Sequence, residues 1–186
     1  MSTKTKSPEV MLVNQQGEFI ALKEKLQAHR DGDLHLAFSV QIVRYREGLY
    51  ELLLQQRALH KYHSGGLWAN TCCSHPTLGE TLAVAAKRRL YEELAIHVEA
   101  VAQDIGQFIY KAKLDNDLYE HELDHVLVIE GDVQTIPGNP DEVMATQWQS
   151  LQTIEEALTA QPEIFCVWFP EVFNLVKSHL ATKTNT

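Results

Sequence analysis

The chain has 186 residues, 45% of them hydrophobic and 22% charged, which suits one domain with its own core. A net charge of -9 argues against general binding to a nucleic-acid backbone, so any anionic ligand must meet a local cluster of Lys and Arg. No apolar run approaches the length that spans a bilayer, the segment from Met1 lacks the apolar centre of a signal peptide, and three cysteines, two of them adjacent, do not make a disulfide framework; a cytoplasmic protein with free thiols is expected.

In chain order, residues 9–13 and 19–22 predict a hairpin about Asn14-Gln15-Gln16-Gly17. A short helix or turn begins at 23–27. Residues 34–43 and 50–56, rich in branched and aromatic side chains and joined across Arg46-Glu47-Gly48, predict a second, central hairpin. The stretch 57–67 contains Gly65-Gly66 and reads as a loop, leading into Trp68-Ala69-Asn70-Thr71-Cys72-Cys73-Ser74-His75-Pro76, expected to be irregular. The clearest helix spans 77–94, with Thr77 and Glu80 spaced as a capping box and Leu82, Ala86, Leu90 and Leu94 on one face. Strands follow at 96–101, 105–112 and 121–129, then a turn over Pro137-Gly138-Asn139-Pro140, a strand at 143–148 and helices at 153–160 and 167–180. This order implies an α/β/α sandwich around a mixed sheet, one compact domain over 9–180 between flexible segments 1–8 and 181–186.

The residues with chemical potential cluster in a few places. Two thiols and the His75 imidazole crowd a segment ended by Pro76, where side chains can converge on a pocket. Taken alone, both cysteines are equally well read as small buried residues and His75 as a loop bond. Glu120 and Glu122 lie two apart, so in a regular strand they share a face and His121 points away. Arg88, Arg89, Glu92 and Glu93 alone would be surface ion pairs worth a few tenths of a kcal/mol, and Trp168 alone would be core.

Together, Asn70-Thr71-Cys72-Cys73-Ser74-His75-Pro76, Leu34-His35-Leu36-Ala37-Phe38, Gly79-Glu80, Arg88-Arg89-Leu90, Glu120-His121-Glu122 and Trp168-Phe169 resemble the type I isopentenyl-diphosphate isomerases, a branch of the Nudix fold, from about residue 25 to 169. The resemblance implies a small-molecule prenyl diphosphate substrate, a compact α/β/α sandwich and two divalent metals. It implies Cys73 and Glu122 as proton-transfer groups on opposite faces of the substrate, Tyr110 assisting Glu122, and Trp168 facing a cationic intermediate. It assigns His29, His35, His75, Glu120 and Glu122 to a protein-bound ion, Mn2+, Mg2+ or Zn2+, and Glu93 to a magnesium carried by the diphosphate. Lys25, Arg57, Lys61 and Arg89 match diphosphate contacts. A monomer is the favoured state.

Elementary chemistry asks for the same residue types. Moving an unactivated double bond adds a proton to carbon and generates a tertiary carbocation, which needs an acid, a base and an electron-rich face. Five nitrogen and oxygen ligands without a thiolate suit an octahedral ion with one position open or filled by substrate. In the helix after Gly79, Arg89 stands where a Nudix hydrolase carries a metal-gathering Glu, which favours holding a diphosphate over cutting it. Ser74 and Ala95 also replace glycines of that pattern, and Ala95 means that the helix ends without its usual left-handed cap residue, at a modest cost. Cys72 and Cys166 read as packing. A Nudix hydrolase and a metal-dependent binding module without activity are the competing readings.

Overall fold

The computed structural model of the protein describes residues 8–134 and 138–184, so most of the N-terminal segment 1–8, Pro137 and the last two residues of the tail lie outside the described residues. β1 (Glu9–Val13) and β2 (Phe19–Glu24) form the first hairpin, its turn organised by the Asn14 side chain, which accepts from the backbone N–H of Gln16 and Glu18. α1 (Lys25–Asp31) follows at once. The Glu24 carboxylate caps it by accepting from the N–H of Leu26 and Gln27, and Gly32 ends it at φ 67°, a value that costs glycine little.

β3 (His35–Arg46) is the strand on which the others are laid. At its far end it pairs with β4 (Leu49–Arg57) as the expected central hairpin, after which β4 diverges to pair antiparallel with β9 (Val143–Ser150). On one edge β3 runs parallel to β8 (Tyr119–Glu130), which carries β7 (Gln103–Lys113) antiparallel on its other side. The gap left where β4 departs is filled by part of the cysteine segment, which is therefore not irregular. Trp68–Ala69 forms β5 against β4, and Cys72–Ser74 forms β6 against residues 38–40 of β3. The polar residues between them supply the bonds that hold this shape: Asn70 Nδ2 donates to the carbonyls of Val40 and Cys72, and Thr71 Oγ1 donates to Leu53 O while accepting from Ile42 N.

α2 (Leu82–Leu94) starts five residues later than the periodicity predicts. Thr77 and Glu80 do meet, the Glu80 carboxylate accepting from both the N–H and the hydroxyl of Thr77, but Gly79 at φ 83° cannot be helical, and Thr81 is the true N-cap. At the other end Ala95 itself takes the left-handed conformation, φ 53°, so the cap geometry is kept without its usual glycine. The expected strand at 96–101 does not form. Ile96 N–H closes the helix by donating to Leu90 O, and Ile96, Val98 and Ala102 satisfy their hydrophobicity by packing under α2 as loop side chains while Val101 stays exposed. α3 (Leu151–Ala160) and α4 (Phe169–Thr184) close the chain, α4 running past the end of its apolar pattern at Leu180.

Side chains alternate across the strands, so the sheet has two cores. Phe38, Val40 and Ile42 of β3, Leu53 of β4 and Cys72 of β6 face Ala85, Ala86, Leu90 and Leu94 of α2. Val43, Leu52, Leu54, Val126 and Val128 face Ile154 of α3 and Phe169, Val172, Phe173, Val176 and Leu180 of α4. Each such fully buried Leu, Ile or Phe contributes about 1.5–3 kcal/mol of transfer free energy. The layers are helix, sheet, helix, as expected, and no helix among the described residues is long and apolar enough to cross a membrane.

Candidate active site

The same alternation builds the site. Odd-numbered residues of β3 point away from α2, and they include His35, Ser39 and Gln41; the parallel register sets His35 beside Glu122 and Ala37 beside Asp124. Glu120, Glu122 and Asp124 share the corresponding face of β8, and Tyr110 is the β7 partner of Glu122. In β6, period two sends neighbouring thiols to opposite faces: Cys72 is 0% exposed in the α2-side core, while Cys73 pairs with Ser39 and reaches the other side. One cleft is lined by Cys73, His75, Glu93, Glu120, Glu122 and Trp168, and at its rim by Lys25, Arg57, Lys61 and Arg89.

Cys73 sits in a tight polar cluster. Its Sγ donates to Asn70 Oδ1 at 3.0 Å and accepts from Trp168 Nε1 at 3.1 Å, and Ser39 Oγ lies 3.6 Å away. Ser39 in turn donates to Asp124 Oδ2 at 2.7 Å. Burial, then the neighbouring Asp124, pushes the Cys73 thiol well above the ordinary thiol range, so it is a neutral S–H at physiological pH. Trp168, 3% exposed, precedes α4 rather than lying within it, and its indole packs into the core beside the cleft.

Glu122 is the hub of the β8 side of the cleft. Tyr110 donates its hydroxyl to Oε2 at 2.7 Å, His75 Nε2 stands 2.9 Å from Oε1 and His35 Nε2 3.4 Å from the same oxygen. Burial opposes the charge of Glu122, but His35 and His75 outweigh it and hold the carboxyl well below the usual range. Burial, then the charge of Glu122, drives Glu120 the other way, well above it. Two carboxylates on one strand face cannot both ionise cheaply without a cation between them. Burial also lowers two of the imidazoles, His75 to about 3 and His29 below its ordinary value.

These groups fit a divalent ion. His29 Nδ1 faces Lys25 O at 2.7 Å and His35 Nδ1 faces Asp33 O at 2.8 Å, the backbone partners that turn each Nε2 lone pair inward, and both Nε2 atoms are buried without a hydrogen-bond partner, as is Glu120 Oε2. Ligating atoms of His29, His35, His75 and Glu122 all lie within 4.8 Å of one another. Glu93, 4% exposed, lies apart from them, bonded by Arg89 Nη2 at 2.5 Å and by Gln55 Nε2 at 3.3 Å.

The NUDIX domain family matches residues 33–169. The chain is 51% identical over 175 residues to the isopentenyl-diphosphate Delta-isomerase of Photobacterium profundum, covering 94% of this chain and 97% of the relative. The enzyme of that name from Aliivibrio fischeri is 47% identical over 173 residues, 92% and 96% of the two chains. The chain belongs to the isopentenyl-diphosphate Delta-isomerases. Among solved structures, a Deinococcus radiodurans protein superposes with a TM-score of 0.71 at 14% identity over 90% of this chain and 98% of its own, and the NUDIX domain of Shewanella oneidensis NrtR with 0.60 at 15% over 78% and 87%; both likenesses concern the fold.

Within this isomerase fold every residue expected at the site reaches the cleft or borders it, and His121 points away, its Nδ1 facing Gly32 O. Some members were not foreseen. Asp124 was within reach of the strand period, since it shares a face with Glu120 and Glu122. Glu142 had no periodic signal; it accepts from Lys61 Nζ at 2.5 Å and stands 3.6 Å from Arg89, tethering two rim cations. His63 comes from the 57–67 loop, whose fold no local pattern encodes. That loop is tightly packed at its glycines: a Cβ on Gly65 would lie 2.4 Å from Leu59 O.

Proposed function

We propose that Cys73 and Glu122 carry the two proton transfers by which this enzyme interconverts isopentenyl diphosphate and dimethylallyl diphosphate. A proton added to the terminal methylene of the substrate leaves a tertiary cation, and loss of a proton from the neighbouring carbon bearing the diphosphate arm re-forms the double bond, so no atom is gained or lost overall. The single observation that carries this reading is the convergence on one cleft, from strands on either side of β3, of a thiol kept neutral by burial and a carboxyl kept ionised by two imidazoles and a tyrosine. A donor and an acceptor with separated proton affinities on opposite walls are what an antarafacial shift needs.

The other residues hold and shelter the reacting carbons. Lys25, Arg57, Lys61 and Arg89 at the rim would take the diphosphate, Arg89 through its planar fork. Trp168, its ring fixed by bonds from Nε1 to Asn70 and Cys73, offers a π face to the cation, worth about 2 kcal/mol in a dry site. His29, His35, His75, Glu120 and Glu122 would hold one divalent ion, and Glu93 a magnesium bound with the diphosphate. Such an ion neutralises the carboxylate pair and tunes Glu122 as a proton acceptor. Cytoplasmic, monomeric operation accords with the composition.

The test is incubation with isopentenyl diphosphate and Mg2+ in heavy water, followed by proton NMR, with Cys73→Ala alongside. Deuterated dimethylallyl diphosphate without free pyrophosphate, formed only by the unaltered enzyme, is the expected result. Pyrophosphate release without isomerisation would establish a hydrolase instead.

A further inference from the structure

We propose that His63 is a sixth protein ligand of the divalent ion, closing the coordination position that the five-residue set leaves open. This deepens the reading above and rests on the His/Glu ion site proposed there. His63 is 4% exposed, far from where a solvated loop histidine would be. It meets Glu120 as His35 meets Glu122: in each pair Nε2 lies 3.4 Å from a carboxylate Oε1. That is too long for an ordinary N–H···O bond, whose usual separation is about 2.9–3.0 Å. It is the spacing of two donors that flank one ion, since ligand bonds of about 2.1 Å at right angles or tetrahedral angles put the donor atoms roughly 3.0–3.4 Å apart.

The two pairs meet on His29. Its Nε2 is buried without a hydrogen-bond partner, and it belongs both to the cluster with His35, His75 and Glu122 and to a second with His63 and Glu120, each having its ligating atoms within 4.8 Å of one another. The His63 and His29 rings lie 6.2 Å apart with planes 27° from parallel, close to the 6.0 Å that separates His29 from His75. The far nitrogen of His63 is occupied as it is in His29 and His35: Nδ1 lies 3.2 Å from Ser64 Oγ, which can accept its proton and leave the Nε2 lone pair facing Glu120. Ser64 is held at φ 52°, a conformation a serine adopts only when its surroundings impose it. Glu120 Oε2 is also buried without a partner, so the carboxylate has an electron pair to give in the same direction. The six donors, four imidazoles and two carboxylates, form two overlapping groups that share His29, and closing both groups on one ion would fill its six positions with protein. An ion so enclosed acts on the substrate only through its ligands, above all Glu122, and has no position for a substrate oxygen.

The experiment loads the metal-stripped full-length protein with Co2+ alone and follows its visible spectrum and affinity, with His63→Ala and His63→Gln as variants and circular dichroism to confirm that each folds. The unaltered protein should bind one Co2+ with a faint six-coordinate spectrum that azide leaves unchanged. Both variants should bind Co2+ at least about tenfold more weakly, the loss typical of a perturbed metal shell. In His63→Ala, azide or imidazole should now shift the spectrum, because the vacated position accepts it. Azide acting equally on the unaltered protein, or variant affinities within twofold of it, would overturn the assignment. Weaker binding without an azide-sensitive position would overturn it too, making His63 a residue that positions Glu120 from outside. Failure of the unaltered protein to bind Co2+ at all would instead remove the ion site itself, and the assignment with it.

Discussion

The two faces of the central sheet use the same strands for opposite purposes. Toward α2, β3, β4 and β6 present Phe38, Val40, Ile42, Leu53 and Cys72, a fully buried apolar surface. One residue further along each strand, the other face presents His35, Ser39 and Cys73, joined from β8 by Glu120, Glu122 and Asp124. The lesson is that register is function here. A slip by one residue would bury carboxylates against α2 and turn isoleucine and phenylalanine into the cleft, so the hydrophobic face that stabilises the fold also fixes the catalytic face.

The adjacent cysteines provide the sharpest way to break this comparison. Cys73→Ala should lower kcat by about 10²–10⁴-fold with little change in melting temperature, whereas Cys72→Ala should retain kcat and lose about 1–2 kcal/mol of stability from a cavity in the α2-side core. Steady-state kinetics and urea unfolding on both variants decide the matter; comparable kinetic losses would mean that the faces are not independent.

Ser39 sits at the boundary, a small polar residue in a strand whose opposite face is all apolar. Ser39→Ala removes the hydroxyl that donates to Asp124, leaving both oxygens of a buried carboxyl without a hydrogen bond, Oδ1 having none already. The expected cost is about 1–3 kcal/mol, together with a fall in kcat and an unchanged KM, because the diphosphate contacts lie elsewhere. Chemical denaturation paired with saturation kinetics would measure it, and a shift confined to KM would contradict the placement.

Effects at the helix that bridges core and cleft should be smaller. Arg88 and Arg89 are neighbours with different tasks: Arg88 forks onto Glu80 with two bonds of 2.8 Å, while Arg89 turns to Glu93 and the cleft. Arg88 holds the Glu80 carboxyl down to about 2, below its unfolded value near 4.3. The folded chain therefore binds fewer protons than the unfolded one between those values, so the stabilisation is present above pH 4.3 and is lost as pH falls through 2. Glu80→Gln should cost about 1 kcal/mol at pH 7, solvent screening keeping it modest, and its difference from the unaltered protein should vanish toward pH 2. Unfolding curves at pH 7, 4 and 2.5 would show it.

The smallest effect is a gain. Ala95 closes α2 at φ 53°, where a Cβ is strained, so Ala95→Gly should raise stability by about 0.5–1 kcal/mol in a thermal melt without altering turnover. A loss would mean that the alanine methyl packs better than its backbone strain costs.

The amino-acid sequence by itself determined which residue types are present and, through period two and period 3.6, most of the elements and the sidedness of Glu120, Glu122 and His121. Those are properties of neighbours along the chain, and geometry within one strand or helix settles them. It did not determine that Gly79 delays α2, that 96–101 packs without a strand partner, or that the cysteine segment pairs with β3, because each depends on what space and which edge the rest of the chain leaves open. Above all, only the tertiary structure decided the cleft's full membership. Lys25 and His29 from α1, His63 from a loop, Glu142 beyond β8 and Trp168 before α4 are separated by long stretches of chain, and they meet because the parallel pairing of β3 with β8 and the packing of α4 on that same face bring them there.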